Sequence, residues 1–106
     1  MTRIDESTFE REAGRTLQRL AERLEDADLE VDMAGSVLTL VTGGGTFVLN
    51  KHAPLRQLWL SSPVSGASHY DLGPAGTWRS TRGPATLTST LAADLKTAAG
   101  VALDFG

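Results

Sequence analysis

The first quarter of the chain repeats hydrophobic residues at the spacing of an amphipathic helix. The repeating positions are Phe9, Ala13, Leu17, Leu20, Leu24 and Ala27. At about 100° per residue all of them fall within roughly 80° of the helix circumference, so one side of this helix is expected to face a core. Ser7-Thr8-Phe9-Glu10 fits a capping box, which predicts that the helix begins near Ser7.

The middle of the chain alternates hydrophobic and polar residues as short strands do. Leu29-Glu30-Val31-Asp32-Met33-Ala34 predicts a half-buried strand with Glu30 and Asp32 on its solvent side. Further strands are expected over residues 37–41, 46–50 and 57–61, and weaker patterns indicate strands over 68–72 and 77–80. Gly43-Gly44-Gly45 is predicted to be a loop, because three glycines lose too much backbone entropy inside a strand.

A second amphipathic helix is predicted near the C-terminus. Thr86 is its expected N-cap, Gly100 ends it, and its apolar side consists of Leu87, Leu91, Leu95 and Ala98. Residues 101–105 alternate and are expected to pack back against the core. The order helix, five or six hairpin-spaced strands, helix predicts an α+β fold, a two-layer α-β sandwich with both helices on one face of an antiparallel sheet. At 106 residues the chain is expected to form a single domain, residues 1–106.

Composition excludes several classes of function. The chain has no cysteine, which excludes disulfides, thiolate metal ligands and thiol nucleophiles. No apolar run approaches the roughly 18 residues of a membrane span, and no basic stripe suits nucleic acid, so neither partner is expected. Residues 1–6 are polar, without the apolar core of a signal peptide or an arginine-rich transit segment. We therefore expect a cytosolic or already processed protein.

Negative charge is concentrated in the N-terminal third. Residues 1–32 carry ten of the thirteen acids and five of the ten bases, a net charge of −5. Six carboxylates accompany one arginine within residues 22–32, namely Glu22, Glu25, Asp26, Asp28, Glu30 and Asp32. Because like charges at this density repel one another, the stretch is either a solvated face or the seat of a cationic ligand. Carboxylates are hard ligands that suit Mg, Ca, Mn and iron, and so open a site would bind weakly and exchange its metal.

Trp59 is the main candidate for a partner contact. If Leu58 and Leu60 face the core, strand alternation places Trp59 on the outer face of the sheet, either as a contact anchor or beneath a covering loop or chain terminus. His52 and His69 have no partner at i,i+4 and are expected to be ordinary surface histidines. The nearby serines lack a histidine at triad spacing, and the glycine run lacks the Lys-Ser/Thr of a phosphate loop, so no ordinary active site is indicated.

Three stretches together form a long and unusual motif: Asn50-Lys51-His52-Ala53-Pro54, Gln57-Leu58-Trp59-Leu60-Ser61-Ser62-Pro63-Val64-Ser65-Gly66 and Tyr70-Asp71. Supporting stretches are Thr8-Phe9-Glu10-Arg11, Gly35-Ser36-Val37-Leu38-Thr39, Thr77-Trp78 and the Leu87…Leu91…Leu95 helix. This combination resembles the frataxin family, including its bacterial CyaY members, nearly from end to end. The resemblance implies the same α-β sandwich.

The resemblance also implies two binding surfaces. In this family an acidic ridge on the first helix and first strand binds iron weakly and contacts the cysteine desulfurase. The corresponding metal ligands here would be Glu22, Glu25, Asp26, Asp28, Glu30 and Asp32. The surface resembling the one that engages the scaffold of iron–sulfur cluster assembly would be Asn50, Lys51, Gln57 and Trp59. The implied function is an iron-binding (Fe2+/Fe3+) regulator of cluster assembly, a monomer able to oligomerise with iron, in the bacterial cytoplasm or mitochondrial matrix.

Two alternatives to this function stay open. One is a ferroxidase or iron-storage activity, which needs a di-iron centre, usually with histidine among its ligands. The other is an acidic protein-interaction domain that is indifferent to metal. The chain also departs from the family pattern: Gly14-Arg15 stands where many members carry an acidic pair, and His52 and His69 stand where they often carry glutamine and arginine.

Overall fold

Two helices and a six-stranded antiparallel sheet make up the computed structural model, which describes residues 4–105. The elements are α1 (Glu6–Asp26), β1 (Glu30–Ala34), β2 (Val37–Thr42), β3 (Gly45–His52), β4 (Gln57–Ser62), β5 (Gly66–Leu72), β6 (Trp78–Ser80) and α2 (Leu87–Ala99). Short 3-10 helices at Ala53–Leu55 and Pro74–Gly76 follow β3 and β5. The predicted α+β sandwich is confirmed, while residues 1–3 of the polar N-terminal stretch and residue 106 lie outside the described part. Within residues 4–105 no helix has the length and hydropathy to cross a membrane.

The sheet buries one face and exposes the other. Each strand pairs with its neighbours along the chain, so the strands run in order from β1 to β6. Leu38 lies opposite Leu49, and Leu49 opposite Leu60, which aligns three inward side chains in one row. The helices cover this row, and each large side chain buried there stabilises the fold by about 1.5–3 kcal/mol. The core consists of Phe9, Ala13, Leu17, Leu20, Ala21, Leu24, Leu38, Leu40, Phe47, Leu49, Leu58, Leu60, Tyr70, Trp78, Leu87, Leu91 and Leu95.

The edge strand β1 is less buried than its alternation predicts. Leu29 and Val31 pack against the core as partly buried residues, but Met33 is 40% exposed. Within residues 4–105 β1 pairs only with β2, so its inward side chains have fewer neighbours than those of a central strand. The alternating pattern therefore predicts the face of each residue correctly, but overestimates the burial of Met33.

Helix α1 begins at Glu6, and its N-cap is Asp5 rather than Ser7. Asp5 Oδ1 accepts the backbone N–H of Thr8 at 2.7 Å, and the Ser7 hydroxyl donates to the same oxygen at 3.2 Å. The predicted cap is wrong because a carboxylate two residues earlier makes the stronger, charge-assisted hydrogen bond to the helix terminus. These hydrogen bonds, first that from the Thr8 backbone, lower the pKa of Asp5 below its usual value.

The glycine run is divided between a turn and a strand. Gly43 and Gly44 form the turn of the β2–β3 hairpin, whereas Gly45 pairs with Thr42 as the first residue of β3. The prediction of a loop is therefore wrong at Gly45. A Cβ atom on Gly44 would lie 2.7 Å from the Cα of Ala98 at the end of α2, so the turn approaches that helix only because Gly44 lacks a side chain.

Helix α2 begins and ends where its sequence predicts. Thr86 Oγ1 accepts the N–H of Ser89, Ser89 Oγ accepts the N–H of Thr86, and Gly100 ends the helix with a φ of 68°. Its buried apolar side includes Leu87, Leu91 and Leu95. The segment after it packs Val101, Leu103 and Phe105 against the core as predicted, without forming a strand.

Gly44→Ala is expected to lower the free energy of unfolding by about 1–3 kcal/mol, because the added methyl group would overlap the backbone of Ala98. Gly43→Ala is the matched control, since a Cβ atom there meets nothing within 4 Å. Urea denaturation of both variants measures the difference. Equal destabilisation would contradict a close contact between turn and helix at Gly44.

Asp5→Asn is expected to flatten the acid side of the stability profile. Because the pKa of Asp5 is lowered in the folded state, its carboxylate stabilises the protein above its unfolded pKa of 3.8, and this contribution is lost as the pH falls through the lower folded value. Urea denaturation between about pH 5 and pH 3 should show a smaller loss of stability for the variant than for the wild type. Superimposable profiles would show that Asp5 is not a titrating cap.

Candidate metal-binding and partner-binding surfaces

The carboxylates of residues 22–32 follow the end of α1, the next turn and β1. Their positions are Glu22, Glu25 and Asp26 in α1, Asp28 in the turn, and Glu30 and Asp32 in β1. All six residues are exposed. Asp28 has a φ of 62°, a left-handed conformation that aspartate adopts more readily than most residues, and its N–H donates to the carbonyl of Glu25 at 2.9 Å. This turn reverses the chain and brings β1 beside α1.

The helix and strand carboxylates belong to different layers. Val31 lies opposite the buried Leu40, so the alternate residues Glu30 and Asp32 face outward, away from the helices. The carboxylates of α1 lie on the solvent side of the helical layer. Of the strands, β1 has the most extensive contact with α1, so the two groups lie along the same edge of the sandwich. We call these six residues the acidic edge.

The acidic edge does not form a compact metal site. Among the residues that the structure describes, no three His, Cys, Asp or Glu side chains come together closely enough to hold a metal ion. The donors are oxygen atoms, which have the right chemistry for a hard cation such as Fe3+ or hydrated Fe2+. The edge therefore fits iron by its donor type, with most coordination positions left to water.

The arginines of α1 leave the acidic edge uncompensated. Arg11 and Arg15 approach Glu12 at 3.4 and 3.9 Å, and Arg23 Nη2 donates to the carbonyl of Asp104 at 2.6 Å. Across residues 4–105, no carboxylate of the edge forms an ion pair. Glu22 accepts a hydrogen bond from Gln18 Nε2 at 3.3 Å, which does not change its charge. The edge thus keeps its negative potential.

Trp59 faces outward as predicted and lies between two histidines. It is opposite Asn50 on β3 and His69 on β5. The indole stacks on His52 with ring centroids 3.8 Å apart and planes at 12°, and on His69 with centroids 4.1 Å apart and planes at 10°. Two imidazole rings, rather than a loop or a chain terminus, therefore cover the faces of the indole.

A short chain of hydrogen bonds holds the edge of the indole. Trp59 Nε1 donates to Gln57 Oε1 at 2.8 Å, and Gln57 Nε2 donates to Asp71 Oδ1 at 3.0 Å. Gln57 is thereby oriented from both ends, because its oxygen accepts and its nitrogen donates. Of the predicted partner-binding residues, Asn50, Gln57 and Trp59 lie together on the outer sheet face.

Lys51 does not lie on the outer sheet face, contrary to its predicted placement. It is opposite the buried Leu58 and therefore points to the helical side of the sheet. Its Nζ forms an ion pair with Glu10 of α1 at 2.8 Å. Strand alternation explains the error, since the outward positions of Asn50 and His52 require that the residue between them point inward.

The serines of the long motif fasten the β4–β5 turn to α2. Ser62 Oγ and Ser65 Oγ both donate to Asp94 Oδ2, at 2.7 and 2.5 Å. Ser62 Oγ also accepts the backbone N–H groups of Val64 and Ser65 at 3.0 and 3.2 Å. Asp94 is 7% exposed, so these hydroxyls satisfy a buried carboxylate. This part of the motif stabilises the turn that follows the strand of Trp59.

The relation between His52 and His69 is the feature of this surface that the sequence did not reveal. It depends on strand register: Ser62 opposite Gly66 closes the β4–β5 hairpin and places His69 beside Trp59. On β3, Asn50 is opposite Trp59, which leaves His52 two residues further along the same face. Trp59 and His69 lie three residues from the Ser62–Gly66 pair on either side of the turn, so counting outward from that turn would have found His69. Asn50 and His52 are two residues apart and therefore share a face of β3, which would have found the other ring.

Comparison with known proteins identifies the family. Residues 2–101 match the model of the frataxin-like domain. The chain therefore belongs to the frataxin family. It is 42% identical over 81 residues to the mitochondrial frataxin homolog of Schizosaccharomyces pombe and 38% identical over 106 residues to mitochondrial frataxin of Arabidopsis thaliana. These matches cover 74% and 92% of this chain but 51% and 57% of the relatives, so the chain spans about half of their length.

Solved structures share the fold as well. Frataxin from Psychromonas ingrahamii, a member of the CyaY family, is 28% identical with a TM-score of 0.87, covering 97% of this chain and 99% of that chain. A trimeric frataxin from the yeast Saccharomyces cerevisiae, complexed with ferrous iron, is 34% identical with a TM-score of 0.76, covering 85% and 87%. The relatives thus include both CyaY-type and mitochondrial frataxins, and the resemblance seen in the motif is confirmed.

Proposed function

We propose that this protein is a non-enzymatic regulator of iron–sulfur cluster assembly that carries iron loosely on its acidic edge. The observation that supports this best is the set of six exposed carboxylates along one edge, none of which is ion-paired within residues 4–105. Because these carboxylates repel one another, they contribute little to the stability of the fold itself. A cationic ligand or partner relieves that repulsion.

Iron is the cargo of this edge. Because no group of three donors is assembled among the described residues, each ion is held by one or two carboxylates and by water. Such binding is weak and exchangeable, which suits delivery better than storage. The complex of the yeast relative with ferrous iron supports the choice of metal.

The cysteine desulfurase is the proposed partner of the same edge. A negative surface attracts a basic protein surface as it attracts a cation, and attraction between exposed charges weakens as salt is added. The metal and the desulfurase therefore compete for the same carboxylates. Such competition would couple the iron supply to sulfur transfer.

The scaffold protein is the proposed partner of the outer sheet face. Asn50, Gln57 and Trp59 lie there together, and a half-buried tryptophan with an oriented amide beside it has the composition of an interface anchor. Lys51, held by Glu10 on the helical side, is left out of this contact surface. We place the protein where clusters are assembled, in the bacterial cytoplasm or the mitochondrial matrix.

Removing the charges of the acidic edge should weaken both of its ligands. Changing Glu25, Asp26, Glu30 and Asp32 together to glutamine or asparagine is expected to weaken iron and desulfurase binding about tenfold, at roughly 0.2–1 kcal/mol per exposed charge. The stability of the fold should stay the same or rise slightly, because repulsion is relieved. Anaerobic calorimetry with Fe2+ and affinity measurements with the desulfurase provide the readouts.

Two-residue variants provide the controls for this experiment. Glu6→Gln with Glu12→Gln removes two negative charges from the opposite end of α1 and should leave binding nearly unchanged. Glu25→Gln with Asp26→Asn tests the helical side of the edge, and Glu30→Gln with Asp32→Asn tests the strand side. Undiminished iron and desulfurase binding in the four-residue variant would refute the assignment of the edge.

Trp59→Ala should weaken scaffold binding without changing the iron titration. Loss of an interface anchor costs about 2 kcal/mol or more, which corresponds to roughly thirtyfold in affinity. Val64→Ala is the matched control, since Val64 is an apolar side chain that is 44% exposed on the neighbouring turn. A parallel loss of iron binding in Trp59→Ala would argue against two separate surfaces.

A further inference from the structure

The outer sheet face carries three stacked rings, and the two outer rings are titratable. The indole of Trp59 on β4 lies between His52 of β3 and His69 of β5, with centroid distances of 3.8 and 4.1 Å and nearly parallel planes. The rings stack along the direction that crosses the strands, so the ring planes lie roughly perpendicular to the surface of the sheet. A partner at this face therefore meets the edges of three rings and cannot reach the faces of the indole.

We propose that His52 and His69 are positioning residues for Trp59, a clamp that grips the indole more firmly when an imidazole binds a proton. This inference rests on the proposed function, in which Trp59 is the anchor for the scaffold. An imidazolium over an indole face gains a cation–π attraction that the neutral ring lacks. An anchor that is already held in place loses less freedom on binding, so the protonated clamp binds the scaffold more tightly.

The remaining contacts of the indole make such a clamp effective. Gln57, itself held by Asp71, accepts the indole N–H at 2.8 Å, so this edge of the ring is fixed. The strength of the two stacking contacts then governs the remaining freedom of the ring. Each of the three stacked residues is half-buried, so the imidazoles also remain accessible to protons from water.

Charged groups near the clamp lie on β5, on β6 and in the segment after β6, where Arg82 follows Thr81, whose N–H donates to the carbonyl of His69 at 3.0 Å. His52 is opposite Gln57, Gln57 is opposite Asp71, and Asp71 is opposite Arg79 of β6, so one negative and one positive group share this cross-strand row. The carboxylate of Asp71 is already engaged by Gln57. These two groups of opposite sign lie opposite each other on β5 and β6.

The other neighbouring charges point away from the rings or lie further off. Lys51 forms an ion pair with Glu10 on the helical side, and the Arg56 guanidinium donates to the carbonyls of Ala53 and Pro54. The outward residues of β2 are the uncharged Val37, Thr39 and Val41. The outward carboxylates Glu30 and Asp32 are on β1, two strands from β3. A proton bound by either imidazole would therefore add positive charge to a face whose outward neighbours on β2 and β4 are uncharged.

Nuclear magnetic resonance of the isotope-labelled protein tests the clamp without a partner. The indole N–H signals of Trp59 and Trp78 are followed from about pH 8 to pH 5.5, the range in which histidine changes charge. Trp78 is the internal control, because it is buried and donates to Thr16 Oγ1 at 2.9 Å. The Trp59 signal should shift with pH, and its protection from exchange should exceed that in His52→Gln/His69→Gln increasingly as the pH falls. Equal protection in the wild type and this variant at every pH would overturn the clamp.

Scaffold affinity over the same pH range tests its consequence. Relative to His52→Gln/His69→Gln, the wild type should gain about two- to fivefold in affinity on acidification, the size of an exposed cation–π contact. His69→Arg keeps a planar cation on the indole at every pH, so at about pH 8 it should bind as tightly as the wild type does at pH 5.5. Including the histidine-free variant removes any pH dependence that belongs to the scaffold itself.

The two measurements separate failure of the clamp from failure of the proposed function. Parallel affinity profiles for the wild type and His52→Gln/His69→Gln would overturn the effect of the proton on docking. Absence of scaffold binding at every pH would overturn the proposed scaffold function and, with it, the docking role of the clamp. In that case a titrating, protected Trp59 signal would still support the clamp itself.

Discussion

Burial of one face of the sheet against two helices is the interaction on which the rest of this structure depends. The inward residues of the central strands are leucine and phenylalanine, and α1 and α2 cover them. Since side chains alternate along a strand, this choice of inner face also determines every residue on the outer face. The residues of the outer face do not contribute to the core, so their side chains are available for contact with a partner. The same rule places Lys51 beside α1 although both of its neighbours point outward.

The two candidate surfaces differ in their physical character. The acidic edge is exposed and forms no ion pair among the described residues, so its charge would act on a cationic ligand across the solvent. The outer sheet face is ordered, with an indole stacked on two rings and bonded to an oriented amide. Glu30 and Asp32 have an additional use, because charges on the edge strand β1 discourage pairing with the strands of other molecules. Protection against association at this edge strand therefore involves two of the carboxylates of the proposed binding edge.

Features set by local chemistry were predictable from the sequence. The capping box at Thr86 and the left-handed Gly100 bound α2 as expected, because their hydrogen bonds lie within a few residues of each other. The cap of α1 was misplaced because two neighbouring side chains, Asp5 and Ser7, compete for the same role. Backbone entropy explains why the glycine run is predicted to be a loop, whereas the need for glycine at position 44 comes from its contact with Ala98, a residue far along the chain. Local rules cannot detect such a contact.

The sequence by itself determined the sandwich, the inner and outer faces of its strands, the position of the acidic stretch and, through its motif, the frataxin family. Each of these follows from a period or a string of adjacent residues. Only the tertiary structure decided that the carboxylates divide between two layers at one edge, and that His52 and His69 flank Trp59. The physical reason is that strand register and layer packing bring together residues from separate strands, and hydrophobic periodicity does not determine that register unless the residues of each turn are also known.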